Sequence, residues 1–220
     1  MHFVLVHGWG FHAGLWDGVV SHLPDSDVTL VDLGFIAGGP RGAGDWPEDA
    51  IAVGHSLGLL WLLEQGRGRF RALVSIQGFD CFSCHVPLAR VASMGRGLAR
   101  DAGATLAAFW HACGTSDFAP TEALNVARLD EGLDWLMRWD ARDTKARLAC
   151  PVLALAAGDD AIVPPAMTEA IWQGIREELL SHARAGNPVA TSVDGKVVWL
   201  SPAEIYQRLG YAVPADCKAS

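Results

Sequence analysis

Short apolar runs alternate along the chain with longer segments in which apolar residues recur at helical spacing. The strand-like runs are His2–Val6, Val28–Leu33, Ala50–Val53, Ala72–Ile76 and Pro151–Ala157. Short apolar runs bounded by turn residues are typical of strands buried in a parallel sheet. Because such strands alternate with helical segments, the pattern predicts an α/β fold with a mostly parallel sheet flanked by helices.

The helical segments fall into two groups. Leu15–Leu23 follows the first strand, and Leu59–Gln65 follows the third. Between Gly78 and Leu148 the composition is helical throughout, so we expect a helical lid over a pocket at about residues 79–148. A plain layer of packed helices is the alternative interpretation of this segment.

The link from Asp32 to Val53 is short and rich in glycine and proline, including Gly38-Gly39-Pro40. Neighbouring parallel strands are normally joined by a crossover helix. This link is too short for such a helix and its turns, so we expect a trimmed or irregular corner of the sheet.

The C-terminal segment has a different pattern. Arg176–Leu209 predicts a helix, a Gly-Asn-Pro turn, a hairpin around Asp194-Gly195 and a second helix. We expect one domain over residues 1–220, with an atypical C-terminal segment at about 173–220.

Composition narrows the class of protein. The chain has 220 residues, of which 50% are hydrophobic and 19% charged, and this length and composition suit a single packed domain. The net charge of -8 argues against nucleic acid as the main partner. No apolar run approaches the length of a membrane span. The N-terminus resembles a strand rather than a signal peptide, so we expect a cytoplasmic protein.

The five cysteines are expected to be free thiols in that compartment. Cys81–His85 has the C-x-x-C-H form used for haem attachment, which we interpret as a coincidence. We expect no cofactor and no metal ion.

The segment Gly54-His55-Ser56-Leu57-Gly58 has the form G-x-S-x-G, between a strand-like and a helix-like run. In this motif the serine lies on a tight turn, and the glycines allow the strand and the helix to approach each other. The hydroxyl is then exposed for attack, and the next main-chain N–H is left for an oxyanion. We therefore predict that Ser56 is a nucleophile; a chance turn is the alternative.

A serine nucleophile needs a base oriented by an acid, and in this fold they follow in the order serine, acid, histidine. Asp160 is the best acid because it follows a strand directly. The neighbouring Asp159 is an alternative, and so is a solvated turn without a catalytic role.

His182 is the only histidine after Asp160, so chain order assigns it as the base. Its surroundings predict a helix, and a surface histidine without a catalytic role is the alternative. The other histidines near the motif, His55, His7 and His12, do not follow the acid in the chain.

An oxyanion hole needs two main-chain donors. We expect them to be the N–H groups of Leu57, directly after the nucleophile, and of Trp9, in the loop after the first strand. The Trp9 indole either lines the substrate pocket or packs in the core.

Together, His7-Gly8-Trp9-Gly10, Trp16, Val31–Phe35 and the motif at Gly54 resemble the α/β-hydrolase superfamily. Within it, the chain is similar to pimeloyl-acyl-carrier-protein methyl ester esterases over about residues 2–172. Further matches are Phe109 with Cys113-Gly114-Thr115, and Gly132-Leu133 through Asp140 to Cys150-Pro151.

The resemblance implies Ser56 as nucleophile, Asp160 as acid, and Trp9 and Leu57 as oxyanion donors. It also implies that Trp9 and Phe109 bind substrate. The basic residues Arg90, Arg96 and Arg100 would bind the acidic carrier protein, although they are also consistent with solvated helix charges. The chain departs from the family in lacking its histidine loop.

The predicted function is hydrolysis of a medium-chain acyl or methyl ester by a serine esterase. The resemblance implies pimeloyl-acyl-carrier-protein methyl ester, in biotin synthesis, as the substrate. A general carboxylesterase, a thioesterase and a non-catalytic binding protein that lacks the usual histidine are the alternatives.

Overall fold

The computed structural model describes residues 1–23, 25–36, 41, 46–65, 70–115, 123–148, 150–163, 165–193 and 196–214. The strands are β1 (His2–Val6), β2 (Asp27–Val31), β3 (Ile51–His55), β4 (Ala72–Ile76), β5 (Val152–Leu155), β6 (Val189–Val193) and β7 (Lys196–Leu200). The helices are α1 (Asp17–Val20), α2 (Leu57–Gln65), α3 (Leu88–Arg100), α4 (Ala102–Ala112), α5 (Val126–Arg138), α6 (Arg142–Ala146), α7 (Pro165–Arg184) and α8 (Pro202–Arg208).

The first five strands form one sheet in the order β2-β1-β3-β4-β5, and every pair in it is parallel. The carboxyl ends of β1, β3, β4 and β5 therefore meet along one edge of the sheet. The predicted parallel sheet flanked by helices is confirmed.

The centre of the sheet is covered by α2, whose side chains from Leu57 to Leu63 are all buried. A helix that is apolar on every side is stable only inside a core, and here it lies directly after β3. This burial fixes the start of α2, and with it the turn that precedes the helix.

Two details of the sequence prediction differ from the structure. The segment predicted as one helix over Leu15–Leu23 forms a short 3-10 helix, Ala13–Trp16, followed by α1. Cys81 and Cys84 are joined by a disulfide, so the prediction of free thiols is wrong for this pair. The disulfide joins residues that are three positions apart, and it closes a tight loop after β4. Cys113 and Cys150 are free, and Cys217 lies outside the described residues.

The region from 79 to 148 contains α3, α4, α5 and α6 and, in its described part, no strand. Its helices are tied to the loop after β2. Arg128 Nε donates to the oxygen of Leu33 at 2.7 Å, and the N–H of Asn125 donates to the oxygen of Phe35 at 2.9 Å. The predicted helical insertion is therefore anchored to the sheet along one side.

By its internal contacts the chain divides into two compact units, Met1–Glu169 and Ala170–Ser220. The second contains most of α7, the antiparallel pair β6–β7, and α8. A small apolar cluster holds it together, including Leu180, Leu200 and Tyr206. The predicted helix, hairpin and second helix are confirmed in this unit, while Asp194-Gly195 lies outside the described residues. None of the helices in the described part of the chain is long and apolar enough to span a membrane.

Candidate active site

Ser56 lies on the turn between β3 and α2 with a φ of +53°. Non-glycine residues seldom adopt this left-handed region, and residues held in it concentrate at functional sites. Two hydrogen bonds fix the turn: the N–H of Ser56 donates to Ile76 oxygen at 3.0 Å, and the N–H of Leu59 donates to Ser56 oxygen at 3.1 Å.

The two motif glycines are required by close backbone packing. A Cβ on Gly54 would lie 2.5 Å from both N and Cα of Leu59. A Cβ on Gly58 would collide with the main-chain oxygen of Val6. Because the obstacles are backbone atoms, no side-chain rotation relieves these clashes, and the sequence G-x-S-x-G is needed for the turn.

The loop after β1 lies against the nucleophile. A Cβ on Gly8 would be 3.0 Å from the Cβ of Ser56. His7 supports this loop through both ring nitrogens: Nδ1 lies 2.8 Å from Gly8 oxygen, and Nε2 accepts the N–H of Leu33 at 2.9 Å. Nε2 also lies 3.3 Å from Asp32 Oδ1, so both ring nitrogens of His7 are engaged within this part of the sheet edge.

Two indoles connect this loop to the helical insertion. Trp9 Nε1 donates to Leu129 oxygen at 2.8 Å, and Trp110 Nε1 donates to Gly10 oxygen at 2.9 Å. The Trp9 ring also meets Phe109 edge to face, with ring centroids 4.9 Å apart. The position of the loop that would supply an oxyanion donor is thus set by α4 and α5.

An open cleft lies in front of Ser56. Its lining includes the predicted residues Trp9, Leu57, Phe109 and Arg90. It also includes apolar residues that sequence reasoning did not single out, namely Phe79, Phe82, Val91, Met94, Leu136 and Ile162. This lining is suited to an apolar chain, because it is mostly aromatic and aliphatic.

Asp160 lies in the loop after β5 and is held firmly. Its Oδ1 accepts the N–H groups of Ile162 and Val163 at 2.7 and 2.8 Å, and its Oδ2 accepts Gln77 Nε2 at 2.5 Å. The alternative acid, Asp159, is exposed. Sequence reasoning missed Gln77, although its position directly after β4, next to β5, could have indicated a contact with the loop of Asp160.

The histidines near Ser56 are engaged or buried. His12 Nδ1 accepts the N–H of Gly14 at 3.0 Å. His55 Nδ1 is buried without a hydrogen-bond partner in the described part of the chain, and burial lowers the pKa of His55 to about 4. His55 therefore stays neutral near pH 7. His182, the histidine that chain order assigned, lies half-buried near the end of α7, in the second unit.

The three arginines of the predicted basic cluster all lie on α3 and are exposed. Arg90 lines the cleft, and its guanidinium donates to Ala161 oxygen at 3.3 Å. Arg96 and Arg100 are four residues apart and share one side of the helix, whereas Arg90 is rotated from Arg96 by about 120°. The cluster is thus divided between the cleft and another face.

One group in the described part of the chain has the residue types of a metal site: Cys81, Cys84 and Asp140. The two sulfurs are bonded to each other, and the Asp140 carboxylate is paired with Arg142 at 2.8 and 2.6 Å. These residues are thus engaged with one another and with Arg142, and the arrangement does not fit a metal centre.

No protein-family model matches the chain. Among solved structures, an esterase from Exiguobacterium antarcticum superposes with a TM-score of 0.65 at 14% identity, covering 79% of this chain and 80% of that one. A hydrolase from Pseudomonas aeruginosa superposes with a TM-score of 0.62 at 18% identity, covering 79% and 77%. The chain has the α/β-hydrolase fold.

In sequence the chain resembles pimeloyl-acyl-carrier-protein methyl ester esterases. It is 37% identical over 87 residues to that of Methylococcus capsulatus, which covers 33% of this chain and 34% of the relative. It is 28% identical over 195 residues to that of Yersinia enterocolitica, which covers 73% and 76%. The chain thus spans about a third of the first relative and about three quarters of the second.

Proposed function

We propose that the chain is a serine esterase in which Ser56 attacks the carbonyl carbon of an ester. The observation that carries the proposal is the left-handed backbone of Ser56, at +53°, on a turn that opens into an apolar cleft. The main-chain N–H groups of Leu57 and Trp9 stabilise the tetrahedral oxyanion. The alcohol then leaves, and water hydrolyses the acyl-enzyme.

Asp160 is the proposed acid, since its carboxylate is fixed by three hydrogen bonds in the loop after β5. His182 is the proposed base on chain order alone, because it is the histidine that follows the acid. The acid orients the imidazole and stabilises the imidazolium that forms when the base takes the serine proton.

The proposed substrate is a medium-chain acyl or methyl ester. The aromatic and aliphatic lining of the cleft, including Trp9 and Phe109, suits an apolar chain. The names of the sequence relatives favour a methyl ester carried by an acyl carrier protein. The family resemblance of the sequence implies that such an ester would belong to biotin synthesis. Arg90 at the cleft, with Arg96 and Arg100, would then attract the acidic carrier. The cytoplasmic location stays a prediction.

A fluorophosphonate probe tests the mechanism, because it reacts with activated serines. We expect labelling of the wild-type protein that Ser56→Ala abolishes, with Ser83→Ala, outside the cleft lining, as the matched control. Absence of labelling in folded protein would contradict the proposal and favour a non-catalytic binding protein. Rates on methyl, aryl and thioester substrates then separate the methyl esterase from a general carboxylesterase or a thioesterase.

A further inference from the structure

Gln77 follows β4 directly and has a φ of +49°. It shares this left-handed conformation with Ser56, and these are the two non-glycine residues with positive φ in the described part of the chain. The left-handed conformation is unfavourable for a residue with a long side chain, so contacts with the surrounding structure must hold the Gln77 backbone in it.

The contacts of Gln77 run from β4 to the loop after β5. Its main-chain N–H donates to Leu155 oxygen at 2.8 Å, and its side-chain Oε1 accepts the N–H of Ala157 at 2.7 Å. Because Oε1 is committed to a donor, the orientation of the amide is fixed, and Nε2 faces Asp160 Oδ2 at 2.5 Å. The side chain therefore spans two positions of one loop.

From the described residues the Asp160 carboxylate receives three hydrogen bonds, and all three donors are neutral. Two come from main-chain N–H groups of its own loop to Oδ1, and the third comes from Gln77 to Oδ2. Neutral donors orient a carboxylate without cancelling its charge, whereas an arginine or lysine in the same place would form an ion pair with it. An acid that must stabilise an imidazolium needs both the orientation and the charge.

We propose that Gln77 is a positioning residue for the acid of this esterase. Its left-handed backbone directs the side-chain amide from the end of β4 toward the loop after β5. There the amide fixes the orientation of the Asp160 carboxylate through its hydrogen bond to Oδ2. This inference rests on the proposed function, with Ser56 as nucleophile and Asp160 as acid, but it does not depend on which histidine is the base.

The test uses Gln77→Ala and Gln77→Gly in the full chain, with kcat and KM measured on a para-nitrophenyl ester. Both variants lose the amide, so we expect kcat to fall by about 10- to 100-fold with KM little changed, since the acid acts on chemistry and not on ground-state binding. Gln65→Ala is the matched control, because Gln65 is exposed at the end of α2.

Melting temperatures separate positioning from a structural role. Glycine adopts positive φ without strain, so we expect Gln77→Gly to have a higher melting temperature than Gln77→Ala. We expect the kcat of the two variants to be equally low. A kcat for both variants within about 2-fold of wild type, or activity that follows the folded fraction, would overturn the inference. If the wild type shows no Ser56-dependent turnover, the proposed function fails and takes this inference with it; Ser56-dependent turnover with unaffected Gln77 variants overturns this inference alone.

Discussion

The indole nitrogen of Trp9 donates a hydrogen bond to the main-chain oxygen of Leu129, at 2.8 Å. The bond joins the loop after β1, which lies against Ser56, to the first turns of α5 in the helical insertion. Trp9 is 3% exposed, so the bond is shielded from water. The insertion therefore supports the loop after β1 and also forms a wall of the cleft.

Trp9→Phe tests this support. The variant keeps an aromatic ring against Phe109 but loses the bond to Leu129 and part of the buried indole volume, so we expect a loss of about 1–3 kcal/mol in the free energy of unfolding. We also expect the rate of fluorophosphonate labelling to fall about 10-fold, because the loop is displaced from Ser56. Urea unfolding and the labelling time course measure the two effects. Trp199→Phe, at a side chain that is 68% exposed, is the control and should change neither.

A second prediction concerns the close packing at the Ser56 turn. In Gly54→Ala the new methyl group would lie 2.5 Å from backbone atoms of Leu59, so β3 and α2 must separate. Overpacking of this kind costs about 1–3 kcal/mol, and the variant should also lose Ser56 labelling as the turn is distorted. Gly18→Ala is the matched control: Gly18 lies in α1 with nothing within 4 Å of the new methyl group, and alanine favours the helix. Equal unfolding midpoints for the two variants would contradict this account of the turn.

The elements that the sequence predicts correctly are those whose cause is local. The runs of the central strands β1 and β3 are short and apolar because most of their residues are buried. Gly54 and Gly58 allow adjacent elements to approach each other closely, and Asp160 lies in the loop that follows its strand. Such features leave a pattern within a few residues, so they can be recognised without knowledge of the tertiary structure.

Features that depend on distant partners leave no such pattern. Gln77 and Asp160 are 83 residues apart, and the bond from Trp9 to Leu129 spans 120 residues. A glutamine after a strand is unremarkable until the neighbouring strand is known. Tertiary contacts decide these cases. The segment at Leu15–Leu23 fails for a different, local reason: its apolar spacing favours one helix, but His12 caps a separate 3-10 turn by accepting the N–H of Gly14.

His182→Ala tests the assignment of the base. If His182 takes the proton of Ser56, its removal should lower kcat by about 10²- to 10⁴-fold, because proton transfer in the transition state is lost. Steady-state turnover and fluorophosphonate labelling, both compared with Ser56→Ala, measure the effect. His85→Ala, at an exposed histidine, controls for loss of an imidazole as such. Unchanged turnover in His182→Ala would overturn the assignment and direct the search to His55 and His12.

We expect the free energy of unfolding to depend on pH through His55. Because burial disfavours the charged imidazole, this free energy should fall as the pH is lowered. Burial lowers the pKa of His55 from 6.5 to about 4, so the unfolded chain takes up a proton first as the pH falls. The stability that the neutral imidazole contributes is present above pH 6.5 and is lost progressively down to about pH 4, by about 3 kcal/mol in all. Urea unfolding at both ends of this range should show a smaller loss in His55→Gln than in the wild type. His22→Gln, at an exposed histidine, should follow the wild type, and parallel losses in all three proteins would show that His55 titrates normally.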